Sequence, residues 1–314
     1  MRIGLDIMGG DFAPEATMMG AIAALKELPQ DVKLVLFGPQ DKIEEICQRE
    51  GVDPKVFDIV NATEVIEMGD HPVKAFAAKQ NSSITLGFGM LHKKMIDGFA
   101  SAGSTGAMLV GVAATIKSIP GVIRPCIATE MPQFAEDKHT LLLDIGLNAD
   151  VRPDVLCQFA QIGAIYIKQL YGVENPKVAL LNIGAEESKG NLVAKEAYGL
   201  MKDNSNFNFV GNVEGHQLLG VCPADVVVTD GFTGNIVLKE AEGLYHIIKK
   251  SGHTNEFFEK FNYENLGGTP VLGVNGTVII GHGVSNAKAI KAMVMQTKNV
   301  IEAQIWQKVA EKFQ

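Results

Sequence analysis

The sequence lacks a long apolar run, and its amino terminus lacks the features of a signal peptide. No segment approaches the roughly 18 to 20 uninterrupted apolar residues that a membrane-spanning helix needs. The first apolar run reaches Asp6 at once, which argues against a signal peptide. The 314 residues, 46% of them apolar, can supply a sizeable core. We therefore expect a globular, cytoplasmic protein.

Closely spaced cysteines and an excess of basic residues are also absent. The four cysteines are scattered without a Cys-x-x-Cys pair, which fits a reducing compartment and argues against a zinc ribbon. The seven histidines show no His-Glu-x-x-His motif or close ligand spacing, so we expect no metal site. The formal net charge of −8 argues against sequence-independent binding of nucleic acid, which requires a basic surface.

Short apolar runs alternate with helical patterns along the whole chain. Most of these runs lack two-residue periodicity, which is typical of strands buried on both faces of a parallel sheet. No Pro/Ser-rich linker divides the chain. The sequence therefore predicts one doubly wound α/β/α domain over residues 1–314, with a mainly parallel sheet. The predicted strands cover residues 2–7, 32–37, 57–60, 99–102, 140–144, 178–183, 207–213, 226–230 and 278–280.

Two loops repeat one plan, in which a buried strand breaks at glycine just before a helix. Residues 226–235 end in Asp-Gly-Phe-Thr-Gly-Asn, and residues 178–191 end in Ser-Lys-Gly-Asn. Ligands of parallel sheets bind at the carboxyl ends of strands, and the N–H groups of a helix start bind anions. These loops favour a phosphate site.

Small polar residues recur with glycine after other predicted strands as well. Each such loop alone is more simply an ordinary connection, but together they favour phosphate binding. No acidic residue stands where a dinucleotide motif requires one, and residues 103–106 lack the lysine of a P-loop. We therefore expect neither NAD nor ATP, and no cofactor. The candidate phosphate- or substrate-binding residues are Gly103, Ser104, Thr105, Asn182, Asp230, Gly231, Thr233, Gly234 and His282.

Lys189 and Asn235 are the candidate catalytic residues, and each has a simpler reading. The Lys189 ammonium could neutralise an oxyanion beside a helix start, or be a solvated lysine near two glutamates. Asn235 could contact the anion or only cap the helix. Asp230 could orient Lys189 or satisfy backbone donors. His282 could transfer a proton, although a hydrogen-bonded structural histidine is commoner.

Several motifs follow one another in a specific order, at residues 3–14, 103–106, 180–184, 209–215, 230–235 and 267–283. Their order and spacing resemble the bacterial phosphate acyltransferase family (PlsX) over nearly the whole chain. The resemblance implies transfer of a long acyl chain from acyl carrier protein to inorganic phosphate. The acyl phosphate would feed a membrane glycerol-3-phosphate acyltransferase in phospholipid synthesis.

The resemblance also carries expectations about fold, assembly and residues. It implies a homodimer with a fold similar to phosphate acetyltransferases and isopropylmalate dehydrogenases. The phosphate-contacting lysine and asparagine of the family fall on Lys189 and Asn235. One departure is Leu147, which stands where the family usually has alanine.

A second departure is the short segment at residues 244–266, which we expect to form a small helical protrusion. Many relatives carry a longer basic and apolar hairpin there, associated with membrane docking. The segment mixes apolar and basic residues and could contact a bilayer, the acyl chain or a second subunit, although a dimer or core contact is the simpler reading. Peripheral membrane association is thus a weaker expectation than catalysis. Lys288, Lys291 and Lys298 share a helical face that could meet acyl carrier protein or be merely solvated.

Two other functions remain open from the sequence. One is a CoA-dependent phosphate acyltransferase for short chains, which the same phosphate loops would serve. The other is a non-catalytic scaffold that recruits a membrane acyltransferase through residues 244–266. A nicotinamide dehydrogenase is only an analogy of fold.

Overall fold

The computed structural model describes residues 1–134 and 139–313, which divide into two compact units. The first unit comprises Met1–Ser118, Tyr263–Pro270 and Val274–Glu302. The second comprises Ile119–Asn262, Val271–Gly273 and Ala303–Gln314. Each unit is described separately below, and a single domain over residues 1–314 stays a prediction.

Strands and helices alternate along the chain. The strands are β1 (Arg2–Asp6), β2 (Lys33–Gly38), β3 (Asp58–Asn61), β4 (Gly98–Ser101), β5 (Cys126–Pro132), β6 (His139–Leu143), β7 (Lys177–Asn182), β8 (Asn208–Glu214), β9 (Val226–Val228), β10 (Thr269–Leu272) and β11 (Thr277–Ile280). The helices are α1 (Glu15–Leu25), α2 (Gln40–Arg49), α3 (Pro72–Ala78), α4 (Ser83–His92), α5 (Thr105–Gly111), α6 (Pro153–Tyr171), α7 (Leu192–Lys202), α8 (Gly215–Leu218), α9 (Gly231–Lys250), α10 (Glu256–Glu259), α11 (Tyr263–Leu266), α12 (Ala287–Glu302) and α13 (Ile305–Phe313).

The sheet of the first unit is parallel throughout, in the order β3-β2-β1-β4-β11. The central strand β1 places Leu5 opposite Leu36 on one side and Ala100 on the other. These three side chains are fully buried. Helices α4 and α12 pack on the sheet, and α1 packs against α12. Burial on both faces explains why these strands read as continuous apolar runs.

The sheet of the second unit is mixed, in the order β10-β5-β6-β9-β7-β8. Of β10, only Val271 and Leu272 belong to this unit. Strand β5 is antiparallel to both β10 and β6. The pairs from β6 to β8 are parallel. The long helix α6 packs on β6, β7 and β9, while α7 and α13 pack against α6. The carboxyl ends of four parallel strands therefore lie along one edge, where ligands of such sheets bind.

The predicted α/β fold with mainly parallel strands and helices on both sides is confirmed. Nine of the eleven strands in the described residues were predicted, and the two that were not are β5 and β10. These two strands pair with each other in an antiparallel manner, and both contain proline, at Pro132 and Pro270. No helix in the described part of the chain has the length and apolar character needed to span a bilayer.

Candidate active site

Asp230, in the loop between β9 and α9, is the N-cap residue of α9. Its Oδ1 accepts the N–H of Thr233 at 2.7 Å, and its Oδ2 accepts the Thr233 hydroxyl at 3.1 Å. This is the usual position of an aspartate N-cap, two to three residues before the amide that it accepts. Of the two roles considered for Asp230, the structure supports the satisfaction of backbone donors.

Gly231 and Gly234 allow α9 to contact the loop after β6 through bare backbone. The Gly231 N–H donates to the Asn148 carbonyl at 2.7 Å, and a Cβ on Gly231 would lie 2.7 Å from the same oxygen. A Cβ on Gly234 would overlap the carbonyl oxygen of Asp144. These two glycines are therefore required by packing, whatever ligand the loop binds.

Asp144 organises that neighbouring loop from a fully buried position. Its Oδ1 accepts the N–H groups of Ile127 and Leu147 at 3.0 and 3.2 Å. Its Oδ2 accepts the backbone and side-chain N–H groups of Asn148, at 2.7 and 2.8 Å. A buried carboxylate with this many donors fixes the loop in one shape. Asp144 was not among the predicted site residues, although its place at a strand end was a signal for it.

Asn235 lies inside α9 and donates from Nδ2 to the Ile145 carbonyl at 3.1 Å. The reading of Asn235 as a helix cap is wrong, because Asp230 occupies the cap position. A carboxamide has two N–H groups, and this contact uses only one of them. The other can donate to a ligand, since Asn235 is exposed.

The loop that carries Lys189 is held at both ends by carboxamides. Asn182 Nδ2 donates to the Lys189 carbonyl at 3.2 Å, and Asn212 Nδ2 donates to the Glu186 carbonyl at 2.9 Å. The loop leads into α7, whose first turn is capped by Asn191. Asn212 was quoted in a motif but not predicted as a site residue, and only the three-dimensional pairing of β7 with β8 reveals its contact.

The Lys189 ammonium is accessible and only loosely paired. Its Nζ lies 3.9 Å from Glu186 Oε1, and its side chain is 47% exposed. Such an exposed pair contributes little to stability, so an anion can compete for the lysine. The ammonium charge is therefore available to a ligand at this end of the sheet.

A cavity of about 490 Å³ lies in the second unit beside these two loops. Among the predicted candidates, it brings together Asn182, Asp230 and Thr233, but neither Lys189 nor Asn235 lines it. Its full lining is Asp150, Val151, Leu156, Leu180, Leu181, Asn182, Ile183, Gly190, Asn191, Val193, Ala194, Gly215, Thr229, Asp230, Thr233 and Val237.

Gly103, Ser104 and Thr105 belong to the first unit and follow β4 there. Ser104 caps α5, because its Oγ accepts the Ala107 N–H at 3.3 Å. The Gly103 N–H donates to Ser101 Oγ at 2.9 Å. Thr105 is the first residue of α5. These contacts give Gly103 and Ser104 structural roles in their own loop.

The loops after β1 and β11 complete this cluster of the first unit. Ser101 Oγ donates to the buried Asp6 at 2.7 Å, and the Asp11 N–H donates to the Gly283 carbonyl at 2.7 Å. Burial raises the pKa of the Asp6 carboxyl, although hydrogen bonds from Ser83 and Ser101 oppose the shift. His282 Nδ1 accepts the Val284 N–H at 3.4 Å. His282 thus takes part in the hydrogen bonding of its own loop.

Comparison with known proteins identifies the family. The family model described as "Fatty acid synthesis protein" matches residues 1–251 and 247–308. A phosphate acyltransferase from Dictyoglomus thermophilum is 42% identical, over 99% of this chain and 97% of that protein. One from Caldicellulosiruptor bescii is 41% identical, over 96% of this chain and 95% of its own length. The chain belongs to the phosphate acyltransferase family.

The solved structures agree with this assignment at the level of fold. The EutD phosphotransacetylase from Staphylococcus aureus matches with a TM-score of 0.65 at 18% identity, covering 97% of this chain and 94% of that chain. At this identity the likeness shows the fold alone. The resemblance to the phosphate acyltransferase (PlsX) family is confirmed, and the chain is an acyltransferase.

The three lysines considered for binding acyl carrier protein are all paired with carboxylates in this phosphate acyltransferase. Lys291 pairs with Glu27, Lys298 lies 2.6 Å from Glu302, and Lys288 lies 4.0 Å from Glu264. These pairs lower the positive charge that the surface of the first unit can offer. Contact of this face with acyl carrier protein stays a prediction.

The segment predicted as a protrusion combines packed aromatic and exposed aliphatic side chains. Within the second unit, the ring of Phe257 packs edge-on against those of Phe134 and Phe261, at 5.1 and 5.5 Å between centroids. Leu244 and Ile247, by contrast, are 49% and 66% exposed. Phe257 and Phe261 therefore pack in an aromatic cluster of this segment, whereas Leu244 and Ile247 of α9 offer an exposed apolar surface.

Proposed function

We propose that this phosphate acyltransferase transfers a fatty acyl group from acyl carrier protein to inorganic phosphate, forming an acyl phosphate for phospholipid synthesis. The observation that carries the proposal is the accessible ammonium of Lys189 on a loop pinned by two carboxamides, next to a largely apolar cavity. The loop supplies a positive charge for phosphate, and the cavity supplies an apolar surface for an acyl chain.

The proposed reaction is a direct attack by phosphate. A phosphate oxygen forms a bond to the thioester carbonyl carbon, and the carbon–sulfur bond then breaks to release the thiolate of the carrier. A thiol of ordinary pKa, about 8.5, leaves readily without strong acid assistance. Positioning of phosphate and stabilisation of the oxyanion are then the main tasks of the protein.

Three of the four cysteines, Cys47, Cys126 and Cys157, are poorly suited to an acyl-enzyme mechanism. Burial raises the pKa of Cys126 well above its ordinary value and the pKa of Cys157 to about 11. Burial also raises the pKa of Cys47. The thiolate is the nucleophilic form, so a raised pKa keeps these thiols unreactive near neutral pH. This supports phosphate itself as the nucleophile.

In the proposed site, Lys189 binds the phosphate and Asn235 receives the oxyanion. The start of α9 contributes fewer donors than its sequence suggests, because the N–H groups of Gly231 and Thr233 are already hydrogen-bonded. The described residues give the Phe232 N–H no partner, so it can join the second N–H of Asn235 in stabilising the oxyanion. His282, Gly103, Ser104 and Thr105 remain predicted substrate contacts.

A donor and acceptor assay tests the proposal. The purified protein is given palmitoyl-acyl carrier protein with or without phosphate, and acyl phosphate is trapped with hydroxylamine. We expect a phosphate-dependent acyl hydroxamate with the carrier donor and much less with acetyl-CoA. Equal or better turnover of acetyl-CoA would favour the short-chain CoA enzyme. Absence of acyl phosphate with every donor would leave the scaffold function instead.

The proposal extends to assembly and location. A homodimer and a passing contact with the membrane that holds the consuming glycerol-3-phosphate acyltransferase would use apolar surface such as Leu244 and Ile247 on α9. Sedimentation measures the dimer, and flotation with anionic lipid vesicles measures membrane contact. If the wild-type protein floats with the vesicles, and the Leu244→Gln/Ile247→Gln variant stays dimeric but no longer floats, these two side chains contact the membrane.

A further inference from the structure

We propose that the cavity of the second unit holds the hydrocarbon chain of the acyl group, and that Val237 on α9 limits the chain length. This inference rests on the proposed function, because it assigns a place to part of the proposed substrate. The walls of the cavity come from strands and helices of one unit, so its shape is fixed by that unit alone.

The most buried residues of the cavity lining include two leucines. Leu156 and Leu180 are 3% and 1% exposed, and both line the cavity. Val193 on α7 and Val237 on α9 complete this apolar part. A volume of about 490 Å³ is within the range of cavities that enclose a small ligand. A hydrocarbon chain is the part of the proposed substrate that such walls would bind.

The charges of the lining argue against phosphate in the same place. Of the described residues that line the cavity, none is lysine, arginine or histidine, whereas Asp150 and Asp230 are carboxylates. A dianion placed among carboxylates would be repelled, and it would lack the cation that a phosphate site needs. Phosphate therefore belongs outside the cavity, at the Lys189 ammonium.

The cavity lining has a polar end, at the strand ends and helix starts, and an apolar residue one turn further along α9. Asn182, Asp230 and Thr233 lie where strands end and helices begin, whereas Val237 lies one turn further along α9. Thr233 and Val237 are four residues apart and so share one face of the helix. The thioester carbonyl would lie at the polar end, near the loop of Lys189 and the first turn of α9. The chain would then extend past Thr233 towards Val237.

Equilibrium binding of a series of saturated fatty acids, from hexanoate to stearate, tests this arrangement without requiring turnover. Displacement of a fluorescent fatty acid gives each dissociation constant. Each methylene that enters the cavity is expected to improve affinity by up to about fourfold, until the cavity is full. Val237→Phe should weaken stearate binding at least tenfold and leave hexanoate unchanged, because the ring would fill the part of the cavity one helical turn beyond Thr233. Val237→Ala should shift the preference towards longer chains.

Ile236→Phe is the matched control, since Ile236 is the neighbouring residue on α9, is 47% exposed and does not line the cavity. It should keep the wild-type profile of chain lengths. If Val237→Phe does not fold, as judged by thermal melting, Val193→Phe replaces it, with the 85% exposed Leu192 changed to Phe as its control. The inference would be overturned if affinity did not depend on chain length. It would also be overturned if the phenylalanine variant in the cavity and its control showed the same dependence of affinity on chain length.

Failure of the proposed function has a different signature. Wild-type protein that binds long chains with the expected profile, but forms no acyl phosphate, would keep the cavity assignment and contradict the reaction. Acyl phosphate formation whose chain-length profile ignores Val237→Phe would keep the reaction and contradict the cavity assignment.

Discussion

The two units use similar loops after parallel strands in different ways. In the first unit, several polar groups are hydrogen-bonded within the loops: Asp6 accepts from Ser101, Ser101 accepts from Gly103, and Gly283 accepts from Asp11. In the second unit, Lys189 is half exposed and a cavity remains beside the helix starts. Glycine-rich motifs of the same appearance can therefore build a closed scaffold or an open site.

The difference lies in where the hydrogen bonds go. A loop whose donors and acceptors are satisfied internally gains rigidity but has little left for a ligand. The loop of Lys189 is rigid for another reason, since Asn182 and Asn212 hold its backbone and leave its ammonium free to bind. The ammonium offered to the ligand is thus on a different residue from the carboxamides that hold the loop of Lys189.

The largest expected effect comes from adding a side chain where the backbone of α9 contacts the loop after β6. Gly234→Ala should lower the free energy of unfolding by about 3 kcal/mol, because its Cβ would overlap the Asp144 carbonyl. Gly243→Ala is the matched control on the same helix, where a Cβ meets nothing within 4 Å. It should raise stability by about 0.5–1 kcal/mol through its better helix propensity. Urea unfolding measures both, and equal effects would refute the contact.

Removal of the Lys189 charge should be the next largest effect. We expect Lys189→Ala to lower kcat/KM for phosphate on the order of 100-fold with stability unchanged, because the charge-assisted contact with the phosphate is lost. Lys195→Ala removes the same charge from an exposed position on α7 and should keep wild-type rates. If both variants lose activity alike, the effect comes from the overall positive charge of the unit and not from the position of Lys189 in this loop.

A smaller effect is expected from Asn212, which we regard as a positioning residue. Asn212→Ala removes the hydrogen bond to the Glu186 carbonyl and should raise the KM for phosphate about tenfold, with a lesser change in kcat. Asn208→Ala, at the opposite end of β8 where the strand pairs with Lys177, should behave as wild type. A loss in kcat at constant KM would show that Asn212 acts on the chemistry and not on phosphate binding.

The buried Asp6, beside the loops of the first unit, should make the stability of the protein depend on pH. Because burial raises the pKa of Asp6, its contribution to stability is greatest below the unfolded pKa of 3.8 and falls as pH rises through its folded pKa. The stability of wild type relative to Asp6→Asn should therefore be higher at pH 4 than at pH 7, by urea unfolding. A difference that grows with pH would mean that hydrogen bonds to the carboxylate outweigh its burial.

Much of this architecture was predictable because buried parallel strands leave a local signature. Runs such as Val226–Val228 are apolar at every position, and nine strands were predicted from that feature. Strands β5 and β10 were missed because Glu130 and the prolines interrupt their apolar pattern. Their pairing depends on partners elsewhere in the chain, which local pattern does not report.

The candidate site was predictable only in part, for a similar reason. The sequence marked Lys189 and Asp230 through their position at helix starts. It did not reveal that Gly234 faces Asp144, since the two lie far apart in the chain. Nor did it reveal the cavity, whose walls come from separate segments. Contacts over long sequence separation decide which loop is open and which is closed.

The backbone contact between α9 and the loop after β6 has a mechanical consequence. No rotatable side-chain bond stands between Gly234 and the Asp144 carbonyl, so rotamer motion cannot change their separation. The helix that carries Asn235 is therefore held at a fixed distance from the loop that follows β6. As temperature rises, the thermal displacement of Asn235 should therefore grow no faster than that of the sheet edge, until the unit unfolds.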